Sequence, residues 1–294
     1  MNEDQIKKII EQVVSEVVSR HDEPKGLGQG SGPVVDPGSV PDLSAIDFRT
    51  VLSVPNPANP DEYLRIMSRS AARLGVWRAG PRYRTQTLLR FRADHATAMD
   101  SVFTDVPEAL LEEMHLFSVS TVCRDKDEFL TRPDLGRQFS PETLALLKQK
   151  CKPNPDIQIY VSDGLSSTAI VANLKDVLPA LMQGLQSKGL GNGIGTPFFV
   201  KYGRVGAMDV ITETLGAKVC LVFLGERPGL ASGESMSAYI TYGGFVGMPE
   251  AGRTVVSNIH RGGTNAAEAG AHIADILALM LREKASGIEL QKLL

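Results

Sequence analysis

The sequence predicts an α/β protein, an N-terminal helical region followed by a doubly wound, Rossmann-like sheet domain. Three observations predict it. Beyond residue 150, β-rich runs alternate with helical stretches, the order that builds a parallel sheet covered by helices. The run from Lys218 to Leu224 is almost continuously apolar, as a strand buried on both faces requires. Residues 42–150 carry helical periodicity and no regular strand alternation.

The elements follow in order. Ile6, Ile9, Ile10, Val13, Val14, Val17 and Val18 share one stripe of a helix over residues 1–21, with Lys7, Lys8, Glu11 and Glu16 opposite. Asn2 and Gln5 have the spacing of a capping box. Such a β-branched helix is marginal alone and orders against something apolar. Residues 22–41 form a linker in which nine of twenty residues are Gly or Pro. A sticky helix on a tether reads as a docking tag for another protein; the competing reading is a helix that folds back or pairs in an oligomer.

Residues 42–150 read as a mostly helical domain with helices near 61–74 and 85–102. Arg65, Arg69 and Arg73 fall on one helical face, and Arg78, Arg82, Arg84, Arg90 and Arg92 follow. This basic block suits an RNA patch, an anionic-ligand site or a contact with an acidic partner. Few aromatics accompany it and no nucleic-acid motif does, so a protein interface is preferred, with a solvated face next.

Residues 151–294 read as the sheet domain. Strands are expected from Ile157 to Ser162, Pro197 to Tyr202, Lys218 to Leu224, Ser235 to Tyr242 and Thr254 to Ile259. Helices are expected near 168–185, 209–215 and 265–284, the last stopped by Gly287.

Composition narrows the chemistry. With 31 basic and 34 acidic side chains the net charge is −3, against a globally basic nucleic-acid binder. Three widely spaced cysteines, Cys123, Cys151 and Cys220, exclude a disulfide framework and a cysteine zinc site, and with no secretory signal the expectation is a soluble intracellular protein. GxGxxG in register, a Walker A lysine, GxSxG and HExxH are all missing, and the five histidines do not cluster. A free-standing NAD oxidoreductase therefore loses its main signature. A non-enzymatic scaffold, carried by the N-terminal helix, stays open.

Polar residues gather instead where strands end, the place where ligands bind in open α/β sheets. Ser162-Asp163-Gly164, Tyr202-Gly203-Arg204-Val205, Gly225-Glu226 and Ser257-Asn258 with His260 form a rim suited to a large ligand edged with amides and hydroxyls. The competing reading is a set of capped strand-to-helix turns.

At these residues the chain resembles the small (light, β) subunits of ethanolamine ammonia-lyase. The matching stretches are RAGPRYRTQTLLRFRADHA from Arg78, FLTRPDLGRQFSPET from Phe129, VSDGLSSTAI from Val161, GTPFFVKYGRVGAMD from Gly195, GAKVCLVFLGERPGL from Gly216, SNIHRGGT from Ser257 and KASGIEL from Lys284. The resemblance implies conversion of ethanolamine to acetaldehyde and ammonia with adenosylcobalamin held between this chain and a large subunit. That large subunit's (β/α)8 barrel holds the substrate. It places cobalamin contacts at Arg204, Val205, Glu226 and Val255, the last at a position where relatives can carry cysteine and where valine serves equally well if the contact uses backbone atoms. The residues that do the chemistry belong to the cofactor and the partner, so no catalytic residue and no metal ligand is expected here. No DxHxxG motif surrounds Asp94-His95, so the cofactor is expected to stay base-on. The family is often packaged in a bacterial microcompartment, which makes shell proteins the expected partner of residues 1–21. A fluorescent reporter fused to residues 1–41 is expected to collect in microcompartments, and Val13→Asp with Val17→Asp to leave it diffuse; equal diffuse signal from both reporters removes the targeting role.

Overall fold

The computed structural model describes residues 46–70 and 72–293. The expected helix of residues 1–21 and linker of 22–41 lie outside them. In chain order, a 3-10 turn at Phe48–Thr50 leads to α1 (Pro60–Ser68), a small hairpin of β1 (Arg78–Ala79) and β2 (Arg82–Tyr83), α2 (Thr85–Phe103) and α3 (Glu108–Glu113). Then come β3 (Phe117–Ser120), α4 (Lys126–Thr131) and α5 (Pro141–Lys150). The alternating half runs β4 (Ile157–Ser162), α6 (Ser167–Ser187), β5 (Phe198–Lys201), α7 (Ala207–Leu215), β6 (Val219–Gly225), β7 (Met236–Tyr242), β8 (Thr254–Ile259), α8 (Ala266–Glu283) and α9 (Gly287–Gln291). The described residues fall within one compact unit.

The expected α/β class is the observed one. Six strands lie in the order β3-β5-β4-β6-β7-β8. The first four are parallel; β7 and β8 continue as an antiparallel meander. Side-chain alternation divides the core into two layers. Ile157, Ile159, Val161, Leu221 and Phe223 pack under α6 and α8, whereas Tyr160, Phe198, Val200, Cys220 and Val222 pack under α5 and α7. Helices on both faces explain why these strands are apolar throughout, each fully buried large side chain contributing roughly 1.5–3 kcal/mol.

Three details correct the sequence reading. Residues 42–150 do supply strands: β3 pairs in parallel with β5, Phe117 opposite Phe198, and β1 and β2 form their own hairpin. Four residues of an edge strand carry too little alternation to be read. The first helix ends at Ser68, where Ser70 Oγ accepts the Ala72 N–H at 3.1 Å in place of a helical carbonyl, so Arg73 is not on the face of Arg65 and Arg69. The last long helix ends at Glu283, close to its expected end, but the residue that stops it is the left-handed Lys284 at φ 54° and not Gly287, which begins α9.

Two close approaches lock the layers. Arg253, just before β8, forms a buried two-pronged pair with Asp209 of α7 at 2.8 and 2.9 Å. On the other face α8 crosses α6 at Gly270, where a Cβ would lie 2.5 Å from the Val177 carbonyl and 2.9 Å from the Leu181 nitrogen. Both are backbone atoms, so a side chain forces the helices apart. Gly270→Val is expected to destabilise the chain by about 1–3 kcal/mol, read as a lower urea midpoint; an unmoved midpoint refutes the tight crossing.

Candidate cofactor-binding site

The sheet has a switch point between β4 and β5. β4 feeds α6 on one face, whereas β5 feeds α7 on the other, so the loops part and leave a crevice at the carboxyl ends. Asp163 bridges it. Its Oδ1 accepts the Tyr202 N–H at 2.8 Å and the Ser162 hydroxyl at 3.2 Å, and its Oδ2 meets Lys126 Nζ at 3.3 Å. Burial pushes the Asp163 carboxyl up, against the pull of Lys126 and the Tyr202 amide.

Tyr202 turns the chain with φ 61°, a left-handed conformation that costs a side chain such as this roughly 1–2 kcal/mol. The surroundings over-determine it. Ser162 Oγ accepts the Gly203 N–H at 3.1 Å, Thr121 donates to the Tyr202 carbonyl at 3.0 Å, and the Arg204 N–H reaches the Gly136 carbonyl at 2.8 Å. The Tyr202 ring stacks on Phe129 with centroids 5.9 Å apart, and Lys126 Nζ lies 5.3 and 5.4 Å from the two rings.

Arg204 continues this stack. Its guanidinium lies 4.1 Å from the Phe129 centroid and donates to the Phe129 carbonyl at 2.7 Å. Its Nε is buried without a hydrogen-bond partner. Burial, with Arg137 nearby, draws its pKa below the usual arginine value. Val205 is half-buried against the α5–α7 layer, and its carbonyl accepts the Met208 N–H at 3.1 Å.

Glu226 begins the loop beyond β6. It accepts from Ser235 at 2.6 Å, from the Ser237 hydroxyl, and from the Asn258 N–H at 3.2 Å. Burial pushes its carboxyl up, but the hydroxyls and the amide outweigh that and hold it below the usual glutamate range. At Gly225 a Cβ would sit 2.1 Å from the Ser166 carbonyl, so only glycine lets this loop approach the β4 loop so closely. Asn258 Oδ1 in turn meets His260 Nε2 at 2.8 Å.

The fourth expected contact stands apart. Val255 is exposed and pairs with Tyr239, which pairs with Val222. That is three residue steps before Gly225, or about 10 Å down the sheet. The strand tips therefore unite the Arg204 loop, Asp163 and Glu226, and leave Val255 on the flank of an edge strand.

A cleft of about 720 Å³ lies between Arg73, Arg90, the 229–233 loop and His260. Arg73 and Arg90 do not present a free basic face. Both reach Asp94 at 2.8 Å, and Arg73 also donates to the Leu230 carbonyl at 2.7 Å. With other described residues, Arg69, Arg78, Arg82, Arg84 and Arg92 form no salt bridge.

The donor set fits an amide-edged ligand: Glu226 keeps acceptor capacity beyond its three bonds, and Arg204 holds a donor that no protein group takes up. Cys220 and Cys151 are poor nucleophiles, since burial pushes their thiols up to about 12 and about 11. Among the described residues no group of His, Cys, Asp and Glu could hold a metal ion.

A family model described as ethanolamine ammonia-lyase light chain (EutC) matches residues 60–291. The chain is 56% identical to the ethanolamine ammonia-lyase small subunit of Clostridium tetani, over 99% of each chain. It is 52% identical to that of Clostridium perfringens, over 99% of this chain and 100% of the relative, and 50% identical to that of Clostridioides difficile over the same shares. The chain belongs to the ethanolamine ammonia-lyase light chain family. The resemblance carried by the strand-end motifs is thus borne out along the whole chain.

Within this light chain, Lys126, Phe129 and Gly136 are site neighbours that the residue-by-residue reading did not find. One signal was available: Asp125 and Glu128 have N-cap spacing, and Asp125 Oδ1 does accept the Glu128 N–H at 2.8 Å, starting α4 under the rim. Because the folded-state pKa of Glu226 lies below its unfolded value, its stabilisation is present above about pH 4.3 and is lost as pH falls through the lower folded value. The stability gap between the native chain and Glu226→Gln is therefore expected to be wider at neutral pH than in acid, measured by urea unfolding; a gap independent of pH contradicts the assignment.

Proposed function

We propose that this chain is the small subunit of an adenosylcobalamin-dependent ethanolamine ammonia-lyase, and converts ethanolamine to acetaldehyde and ammonia together with a large subunit. The observation that carries the reading is the match to relatives named as small subunits over 99% of the chain. A small subunit implies a large one, and the buried, unreactive thiols agree with a partner that holds the substrate. In this reading the strand tips are one jaw of a clamp that closes on cobalamin at the subunit interface.

Each rim residue then has a physical task. Glu226, held rigid by three donors, accepts from an amide N–H of the ligand's edge. Arg204, stacked on Phe129, donates to an amide carbonyl. Val205 covers the edge and excludes water, and Val255 offers backbone on the flank. The hard chemistry comes from adenosylcobalamin when bound, through homolysis of its cobalt–carbon bond. The protein's share is placement and a dry cleft. The base-on state and a microcompartment location, with residues 1–21 toward shell proteins, complete the proposal. It agrees with the described residues, among which no helix is long and apolar enough to cross a membrane.

The test is an absorbance titration of adenosylcobalamin into the two-subunit complex. Glu226→Gln and Arg204→Ala are each expected to weaken cofactor binding by about tenfold with assembly intact. Unchanged affinity in both variants overturns the clamp.

A further inference from the structure

Lys126 and Asp163 form a buried ion pair that the clamp reading leaves without a task. A buried pair of this kind is weak evidence for stability, because two charges must lose their water before they attract. Its position is informative. The Asp163 carboxylate stands across the switch point and takes the Tyr202 N–H, while Ser162, bonded to the same oxygen, takes the Gly203 N–H. Two successive amides of a left-handed turn thus hang on one carboxylate and its neighbour. That turn delivers Arg204 and Val205.

We propose that Asp163 is the positioning residue of the loop 202–205, oriented for that task by Lys126. The inference rests on the reading that Arg204 and Val205 face the cofactor. Lys126 fixes the carboxylate from one side, with its ammonium beside the Phe129 and Tyr202 rings, so the anion cannot swing away from the turn. The same Phe129 ring carries Arg204. One cation, one anion and two stacked rings, with the Phe129 carbonyl, therefore set the direction of the guanidinium.

A purely structural pair and a positioning pair respond differently to replacement. Asp163→Leu removes the acceptor of the Tyr202 amide. Asp163→Asn keeps an acceptor oxygen but strands the Lys126 charge, and Lys126→Met added to Asp163→Asn removes that charge while keeping the acceptor. Each variant is made in the full chain with its large subunit and read by hydrogen–deuterium exchange before cofactor is added, then by adenosylcobalamin titration. In Asp163→Leu the peptide spanning 202–205 is expected to exchange faster by on the order of tenfold, with the α6–α8 layer unchanged and cofactor affinity lowered to a similar degree. Asp163→Asn is expected to loosen the same peptide, and Asp163→Asn with Lys126→Met, which relieves the stranded charge but lacks the orienting cation, to recover only part of the protection. Unchanged exchange at 202–205 in either single variant overturns the proposal, as does an Asn–Met pair as loose as Asp163→Asn. If Asp163→Leu fails to assemble, the Asn and Asn–Met comparison decides alone. Faster exchange with unaltered cofactor affinity supports Asp163 as the holder of the loop and removes Arg204 and Val205 from the cofactor contacts, so the two readings fail separately.

Discussion

The tips of parallel strands at a switch point leave backbone N–H groups with no ladder to join, and beyond β5 a buried carboxylate and the serine beside it take up that demand. β4 and β5 lie side by side, yet their chains leave for opposite faces of the sheet. Beyond β4 the Leu165 N–H goes to the Gly225 carbonyl at 3.0 Å, which leaves the first amides beyond β5 to be met from the side. Asp163 reaches across because it is the residue after β4 and its oxygens face the start of the β5 loop, 2.8 Å from the Tyr202 nitrogen. The cost of burying that charge is offset in part by Lys126, by the Ser162 hydroxyl and by the amide itself. Aspartate suits the place because a short acceptor-only group matches several donors that converge there.

The rest of the rim follows the same rule of prior commitment. Glu226 is bound by three donors and Arg204 is stacked and bonded to one residue, Phe129. Neither is a free arm waiting for a ligand. Groups held this way lose little side-chain freedom on binding, so more of each new contact appears as affinity. The chain thus answers the demand that cofactor chemistry makes on a protein, which is geometry before reactivity. Its three described thiols are all buried, and the polar groups that meet at the strand tips are acceptors and donors in place of nucleophiles.

Most of the fold was legible because its strands are buried on both faces. A strand such as β6 must be apolar at nearly every position, and that run stands out in any reading of the sequence. β3 was not legible, since four residues at the edge of the sheet, of which only Val119 is buried, become a strand only when β5 is already beside them. The site was legible in part for a related reason. Residues just after strands could be located once the strands were known, which brought out Asp163, Arg204 and Glu226. Lys126 and Phe129 come from a helix far earlier in the chain, and nothing local reports that α4 folds under the rim. Val255 shows the limit from the other side: its motif is clear, but its place on the flank of an edge strand depends on register, which a motif does not carry.

The arginine block shows how far tertiary pairing can overrule local charge. Read along the chain, Arg73 and Arg90 belong to a basic patch aimed at a partner. In the fold both close on Asp94, whose carboxylate is almost fully buried, and Arg73 spends a further donor on the carbonyl of Leu230. Leu230 lies in the loop that begins at Glu226, so the region after α1 grips the third strand-end loop directly. The Glu226 loop is consequently fixed at its base by Ser235, Ser237 and Asn258, along its return by Thr168 and Asn173 on the Gly233 and Glu234 carbonyls, and further out by Arg73. Arg73 is therefore the tie that the N-terminal region adds at Leu230, beyond those that the sheet domain itself supplies. The region after α1 and the third strand-end loop are for that reason joined directly, through Arg73 and the Leu230 carbonyl.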